Sequence, residues 1–301
     1  MPPTTLLHFA DEAAAAHALA GALGHAVQTA EIERHRFPDG ELKLRLPAEL
    51  PHDVLLWRGL QQPNEKLVEL LLVAQTARAL GARRLGLVAP YLAYMRQDMA
   101  FRPGEAVSQR IVGAFLAQLF DTVLTVDPHL HRVSTLAEAV PVPQPLVVSG
   151  APALADWVAR ERPGALLLGP DEESAQWVAQ AADRHGLDRA VCRKVRHGDR
   201  QVEIELPAAH WTGRQVVILD DMASTGRTVA LATRLALAAG AQSVDVAVTH
   251  ALFAAGALQA MREAGVGQIW STDCIPHPSN VVPMAPVLAH ALKAAGWAST
   301  A

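Results

Sequence analysis

Two adjacent carboxylates, Asp220 and Asp221, stand just ahead of a short hydroxyl- and glycine-rich turn made of Ser224, Thr225, Gly226, Arg227 and Thr228. Carboxylates accept hydrogen bonds well from a vicinal diol, whereas the turn offers hydroxyls and backbone N–H groups to an anion. Val216-Val217-Ile218-Leu219 ahead of the pair is a continuous apolar run, the pattern of a parallel strand covered on both faces. Val229 to Ala239 after it has helical periodicity. The turn therefore sits at the positive end of a helix and at the carboxyl end of a strand, where open α/β sheets bind ligands. A diol-binding pair beside an anion cradle suits a sugar phosphate such as ribose 5-phosphate. The plainer reading is a strand-turn-helix whose aspartates cap the helix.

Other polar residues fall at the same kind of place. Short apolar runs at Val54-Leu56, Leu85-Ala89, Thr122-Val126, Ala165-Leu168, Val244-Val248 and Gln268-Ser271 alternate with Ala-rich amphipathic stretches. That rhythm predicts an α/β chain with mostly parallel sheets. Asp127, Asp171, His250 and Asp273 each lie where such a run hands over to a loop. The Pro-rich stretch Val140-Pro141-Val142-Pro143-Gln144-Pro145 cannot continue a helix or a central strand, and it marks a divider between two domains. The expected domains are 1–143 and 144–286, with 287–301 as a terminal helix.

Bulk properties bound the function. The chain has 301 residues, enough for two domains, with 50% hydrophobic and 19% charged residues, which is a globular composition. A net charge of -4 argues against general nucleic-acid binding, so an anionic substrate has to be met by locally placed cations or metal. Two cysteines far apart suggest neither a disulfide framework nor a zinc cluster. No basic leader and no apolar run of about 20 residues is visible, so a soluble, cytoplasmic protein without membrane partners is expected. GxxxxGK[ST], GxGxxG and HExxH are absent.

Read together, Phe37-Pro38-Asp39-Gly40-Glu41, Gln62-Pro63-Asn64, Pro90 to Asp98, Asp127-Pro128-His129, Pro170-Asp171, the Asp220 to Thr228 segment, Thr249-His250 and Thr272 to Pro276 are similar, in kind and order, to the motifs of the ribose-phosphate pyrophosphokinase family. The resemblance spans nearly the whole chain and implies two phosphoribosyltransferase-like domains, each a mostly parallel sheet flanked by helices, with the terminal helix returning to the first. It implies transfer of a diphosphoryl group from ATP to the C1 hydroxyl of ribose 5-phosphate, with Mg²⁺. In this likeness Phe37, Asp39, Glu41, Arg96, Gln97 and Asp98 contact ATP, and Asp220, Asp221, Ser224, Thr225, Gly226, Arg227 and Thr228 hold ribose 5-phosphate. His129 and Asp171 are the metal positions, and Lys194 and Arg196, in a basic run with a hairpin pattern, close over the transferring phosphates. Phe37 would reach a neighbouring subunit, making a homo-oligomer the working form.

Three departures from the family pattern stand out. Glu172-Glu173-Ser174 follows Asp171 where two glycines are usual, Pro128 and Leu130 flank His129 in place of leucine and alanine, and the Ser224 loop follows the STG-x-T form of shorter, archaeal-type members. A phosphoribosyltransferase, or a catalytically silent regulatory homologue, are the competing readings.

Overall fold

The computed structural model describes residues 4–130, 132–197 and 201–298, with side chains for all of these except 194–197 and 201–203. The chain forms two compact units, one of Met1–Val148 with Ala285–Ala301 and one of Ser149–Met284.

In the first unit, β1 (Thr4–Phe9), β2 (Val27–Arg36), β3 (Leu42–Arg45), β4 (Asp53–Trp57), β5 (Arg84–Val88), β6 (Thr122–Val126) and β7 (Gln144–Val148) form one sheet in the order β3-β2-β1-β4-β5-β6-β7. Every pairing is parallel except β2 with β3. Helices α1 (Ala13–Leu23), α2 (Pro63–Ala79), α3 (Ser108–Leu119) and the short α4 (Leu136–Ala139) connect the strands. Strand β4 shows no apolar-polar alternation: Val54, Leu55 and Leu56 are all fully buried, because helices cover both faces of a parallel sheet.

In the second unit, β8 (Leu166–Gly169), β9 (Arg189–Val191), β12 (Gln215–Ala223), β13 (Ser243–Ala251), β14 (Val266–Thr272) and β15 (Asn280–Val282) form an all-parallel sheet in the order β15-β14-β13-β12-β8-β9. β10 (Arg193–His197) and β11 (Gln201–Glu205) pair antiparallel as a separate ribbon. Val216 and Ile218 pack on one face with Val229, Ala232 and Met261 from α7 (Arg227–Ala238) and α8 (Ala257–Glu263). Val217 and Leu219 pack on the other with Leu154, Val158 and Val178 from α5 (Ala151–Glu161) and α6 (Ala175–His185).

The Pro-rich divider is placed differently from the sequence expectation. Gln144–Val148, expected to open the second domain, is the outer strand of the first sheet, with Pro145 opposite Val123. Proline is tolerated there because an edge strand has one side with no ladder to complete. At the other end, α9 (Ala285–Ala294) begins two residues before the expected boundary and packs on α1 and β7. Buried Trp297 lies under the Arg84 guanidinium at 3.9 Å, and its carbonyl accepts from the Thr4 hydroxyl at 3.0 Å.

Helix α3 anchors the loop that follows β5. The Gln109 backbone N–H donates to the Gln97 carbonyl at 3.2 Å, and its side-chain amide to the Met95 carbonyl at 3.2 Å. The helix can sit where it does because Gly113 has no side chain: a Cβ there would lie 1.7 Å from the Ala139 carbonyl oxygen. Gly113→Ala is therefore expected to destabilise the protein by about 3 kcal/mol, the upper range for forced overpacking. Urea denaturation followed by circular dichroism measures it, and a variant as stable as the parent would contradict this packing.

Candidate active site

Strand order reverses between β8 and β12, and the crevice at such a reversal is where open α/β sheets bind ligands. The pairing of β12 with β8 ends at Ile218 opposite Leu168, while β12 continues beside β13 to Ala223 opposite Ala251. Asp220 and Asp221 thus lie inside a strand that has lost one neighbour. The sequence placed them at the strand's end; the strand is longer because β13 keeps pairing with it.

On the other lip of this crevice, Asp171 follows β8 and is 8% exposed. Its Oδ1 accepts from the Glu173 backbone N–H at 3.1 Å and its carbonyl accepts from the Ser174 hydroxyl at 2.6 Å. These bonds close a 3₁₀ turn, Glu172–Ser174, in place of a glycine loop. The turn fits because Gly169 leaves room for the Ser174 hydroxyl, which would lie 2.3 Å from a Cβ at that position. The departure after Asp171 is thereby absorbed with Glu172 and Glu173 on the surface.

Burial, the charge of Asp221 and the charge of Asp171, in that order, raise the Asp220 pKa well above the ordinary aspartate value. Three carboxylates share one crevice, and after burial it is the charges of its two neighbours that raise Asp220. The same environment pushes the Cys192 thiol up to about 12, through burial and then the Asp171 charge, so this cysteine is no nucleophile. Asp273, at the end of β14, is also raised by burial and accepts from the Met284 N–H at 2.8 Å.

After β12, Ser224 and Thr225 lead to Gly226, the cap residue of α7, at φ 70°. A side chain there would be strained and would meet the Ala257 carbonyl at 3.1 Å, so the turn requires glycine. Ser224 is held by the Ala254 N–H, which donates to its carbonyl at 2.9 Å. The exposed Arg227 opens the twelve-residue helix, whose first N–H groups have no acceptor within the helix; the Arg227 N–H donates to the Thr225 hydroxyl at 3.5 Å, and a helix start of this kind suits an anion. The structure brings Asp171, Asp220, Asp221 and the Ser224–Thr228 loop to one edge of the second sheet. Lys194 and Arg196 fall on β10, but their side chains lie outside the described residues.

In the first unit, strand ends again carry the expected residues. Arg96 is exposed and Gln97 donates to the Met99 carbonyl at 2.9 Å in the loop after β5. His129 is half-buried after β6. Asp98 is buried and accepts from Arg132 at 2.6 Å, which ties the loop after β5 to the loop after β6. Three non-glycine residues with positive φ, Gln62, Tyr94 and Asp127, each follow a strand of this sheet, and such strain concentrates at functional loops. The Tyr94 hydroxyl donates to Asn64, joining the loop after β5 to the start of α2.

Phe37, Asp39 and Glu41 stand apart, at the tip of the β2–β3 hairpin. Phe37 is 40% exposed and edge-on to His35 at 4.9 Å, and the Glu41 N–H donates to Asp39 at 3.2 Å. β1 and β4 separate β2 from β5, about 14 Å at the usual strand spacing. The sequence reading missed the ionic cluster at the base of this hairpin, formed by Asp11, Glu12, Arg34, Arg58 and Glu69. Arg58 directly after an apolar run was the available signal.

Among the described residues, no group of three or more His, Cys, Asp or Glu is arranged to hold a metal ion. Mg²⁺ takes only one or two carboxylates and keeps waters and substrate oxygens for the rest of its shell, and the acidic crevice offers carboxylates of that kind. The crowding that raises Asp220 is what a divalent cation relieves.

The fold and the crevice together define a two-unit α/β protein with a phosphoribosyltransferase-type second unit. Comparison with known proteins narrows this. A family model described as the N-terminal domain of ribose phosphate pyrophosphokinase matches residues 5–119, and a phosphoribosyl transferase domain model matches residues 144–284. A ribose-phosphate pyrophosphokinase of Methanopyrus kandleri is 35% identical over 88% of this chain and 91% of its own. Ribose-phosphate pyrophosphokinase 1 of Archaeoglobus fulgidus is 36% identical over 86% and 89%. The crystal structure of phosphoribosylpyrophosphate synthetase from Mycobacterium smegmatis superposes with a TM-score of 0.82 at 22% identity, covering 98% of this chain and 99% of that one, and so shares the fold. The chain belongs to the ribose-phosphate pyrophosphokinase family.

The raised Asp220 pKa has a thermodynamic sign. A carboxyl that holds its proton more tightly when folded stabilises the fold fully below the ordinary aspartate pKa, and that contribution is lost as pH rises through the raised value. Asp220→Asn, which cannot ionise, is expected to melt higher than the parent at pH 8 by a few degrees, at about 2–4 °C per kcal/mol. The difference should shrink towards pH 4, as read by thermal melting. A difference independent of pH would show that Asp220 does not carry this repulsion.

Proposed function

We propose that this chain transfers the diphosphoryl group of ATP to the C1 hydroxyl of ribose 5-phosphate, giving phosphoribosyl pyrophosphate and AMP. The observation that carries the reading is the carboxylate pair on β12 followed directly by the anion cradle of α7, set at the strand-order reversal of the second sheet. Family membership points to this reaction, and the first-unit match speaks against a plain phosphoribosyltransferase.

Asp220 and Asp221 accept hydrogen bonds from the ribose hydroxyls, and the Ser224–Thr228 backbone and hydroxyls take the 5-phosphate. The C1 oxygen attacks the β-phosphorus, the bond to the α-phosphate oxygen breaks, and AMP leaves with that oxygen. The C1 hydroxyl proton passes to solvent or to a nearby carboxylate. Positioning and charge neutralisation supply most of the acceleration in such transfers. Lys194 and Arg196 are assigned to the equatorial oxygens, and Arg96 and Gln97 to the nucleotide phosphates. Mg²⁺ is assigned to Asp171 on the sugar side and His129 on the nucleotide side; when bound, it neutralises diphosphoryl oxygens.

A homo-oligomer is part of the proposal. Val68, Leu71 and Leu72 form an exposed apolar stripe on α2, and Phe37 is exposed at the hairpin tip. An uncharged stripe of this kind favours a partner surface, and the tip would then serve adenine in a neighbouring subunit. No helix among the described residues is long and apolar enough to cross a membrane; a cytoplasmic setting fits two buried cysteines that form no disulfide.

Incubation with ATP, ribose 5-phosphate and Mg²⁺ should release AMP in step with phosphoribosyl pyrophosphate, followed by chromatography. Asp221→Ala is expected to raise KM for ribose 5-phosphate about tenfold or more by removing two acceptor oxygens. Lys194→Ala should chiefly lower kcat, by about 100-fold or more, as for the loss of one transition-state donor. AMP release that needs no sugar phosphate, or full activity in both variants, would defeat the assignment.

A further inference from the structure

The β2–β3 hairpin projects beyond the sheet that roots it. The β1 ladder along β2 ends at Phe9 opposite Ile32, whereas β2 and β3 continue as a pair from Glu33 opposite Arg45 to Arg36 opposite Leu42. A two-stranded ribbon alone is marginal in water. Leu44 and Leu46 root its base in the apolar core, and farther out the side of β2 that β1 has vacated is held by charge.

Arg34 donates to Glu69 on α2 at 2.5 Å and to Asp11 at 3.3 Å. Arg36, one turn of the pleat nearer the tip, pairs with Glu65 on the same helix. Glu69 is fully buried and is shared with Arg58, itself 1% exposed, whose guanidinium also reaches Glu12 and Asp11 at 2.9 Å each. Glu12 further accepts from the Gly59 N–H at 2.9 Å, and the Phe9 ring lies 4.5 Å from Arg58 and 5.2 Å from Arg34. A buried carboxylate with two arginine partners in fixed positions makes a rigid peg, since planar forks lose little freedom on pairing.

We propose that Arg34 and Arg36 strap the hairpin to the Glu69–Arg58 peg and thereby fix the Phe37–Glu41 tip for nucleotide binding, making Arg34 a positioning residue for ATP. The proposal rests on the assignment of the tip to ATP made above. Arg34 touches no reactant; it sets where the tip stands. Loss of the strap frees the projecting ribbon without disturbing the apolar core, so the cost falls on nucleotide affinity and leaves the sugar site unchanged.

Arg34→Met, Arg34→Lys, Glu65→Gln and Phe37→Ala are compared with the parent for KM of ATP, KM of ribose 5-phosphate and kcat, with thermal melting and size-exclusion chromatography on each. Arg34→Met should raise KM for ATP about tenfold while kcat and KM for ribose 5-phosphate stay within about twofold, and Arg34→Lys should recover part of the loss. Glu65→Gln, at an exposed pair that the fold tolerates losing, should raise KM for ATP about threefold; it and Arg34→Lys decide the matter if Arg34→Met melts too early to assay. Phe37→Ala raising KM for ATP while the strap variants leave it unchanged would overturn the proposal and spare the tip assignment. An unchanged KM for ATP in Phe37→Ala would remove that assignment and the proposal with it. Parallel losses in kcat and both KM values would mark the strap as merely structural and overturn it as well.

Discussion

Repulsion among three carboxylates in one crevice is the constraint around which the second unit is arranged. Asp171, Asp220 and Asp221 are held together although their charges oppose it, and the Asp220 pKa is raised first by burial and then by that opposition. What holds them is apolar. Leu166, Leu167 and Leu168 are fixed beside Val216, Val217 and Ile218, and helices close over both faces. The polar residues are then delivered two or three positions later, where β8 has turned away and β12 has not. The strain of the crevice is sustained by the ladder beneath it, and it is relieved by cations or by a diol that brings hydrogen-bond donors without negative charge.

The two units treat the same topological feature in opposite ways. In the first sheet the strand order reverses between β1 and β4, and the residues that follow these strands are Asp11, Glu12 and Arg58. There the crevice is bridged from within: Arg58, Glu12 and Glu69 pair with one another and bury their charges. In the second sheet the equivalent place is acidic, with Asp220 raised by burial and by the charges of Asp221 and Asp171. One reversal has become a structural peg and the other a candidate site. Burying a charge pair this deeply seldom stabilises a fold more than an apolar filling would, so a role in directing the hairpin gives the peg a reason that stability alone does not.

Much of this was legible in the residues. Continuous runs such as Val216 to Leu219 announce strands buried on both faces, and polar residues directly after them announce the active edge. Gly226 was readable as part of a turn, and its positive φ explains why no other residue fits. Three things were not legible. The length of β12 depends on β13 continuing to pair past Ile218, a tertiary fact that no local pattern encodes. The Pro-rich stretch reads as a linker because proline disrupts central strands, yet Pro145 sits on an edge, where the rule relaxes. The ionic cluster draws on Asp11, Glu12, Arg34, Arg58 and Glu69, scattered widely along the chain, and each alone looks like an ordinary solvated charge.

Charge balance explains how a chain of net charge -4 can hold phosphates. Many of its arginines are already committed: Arg58 to Glu12 and Glu69, Arg78 to Asp121, Arg132 to Asp98, Arg162 to Asp245 and Arg184 to Asp156. Guanidinium groups held this way stiffen loops and helices and have little charge to lend. An anion at the acidic crevice would find, besides any cation not committed in this way, groups whose positive end is fixed by the backbone. The start of α7 offers such N–H groups, with Gly226 turning the chain beside the two carboxylates. Sugar phosphate, with a diol at one end and an anion at the other, is the kind of molecule that matches such a division of charge; a ligand anionic throughout would meet Asp220 and Asp221 without any hydroxyl to offer them.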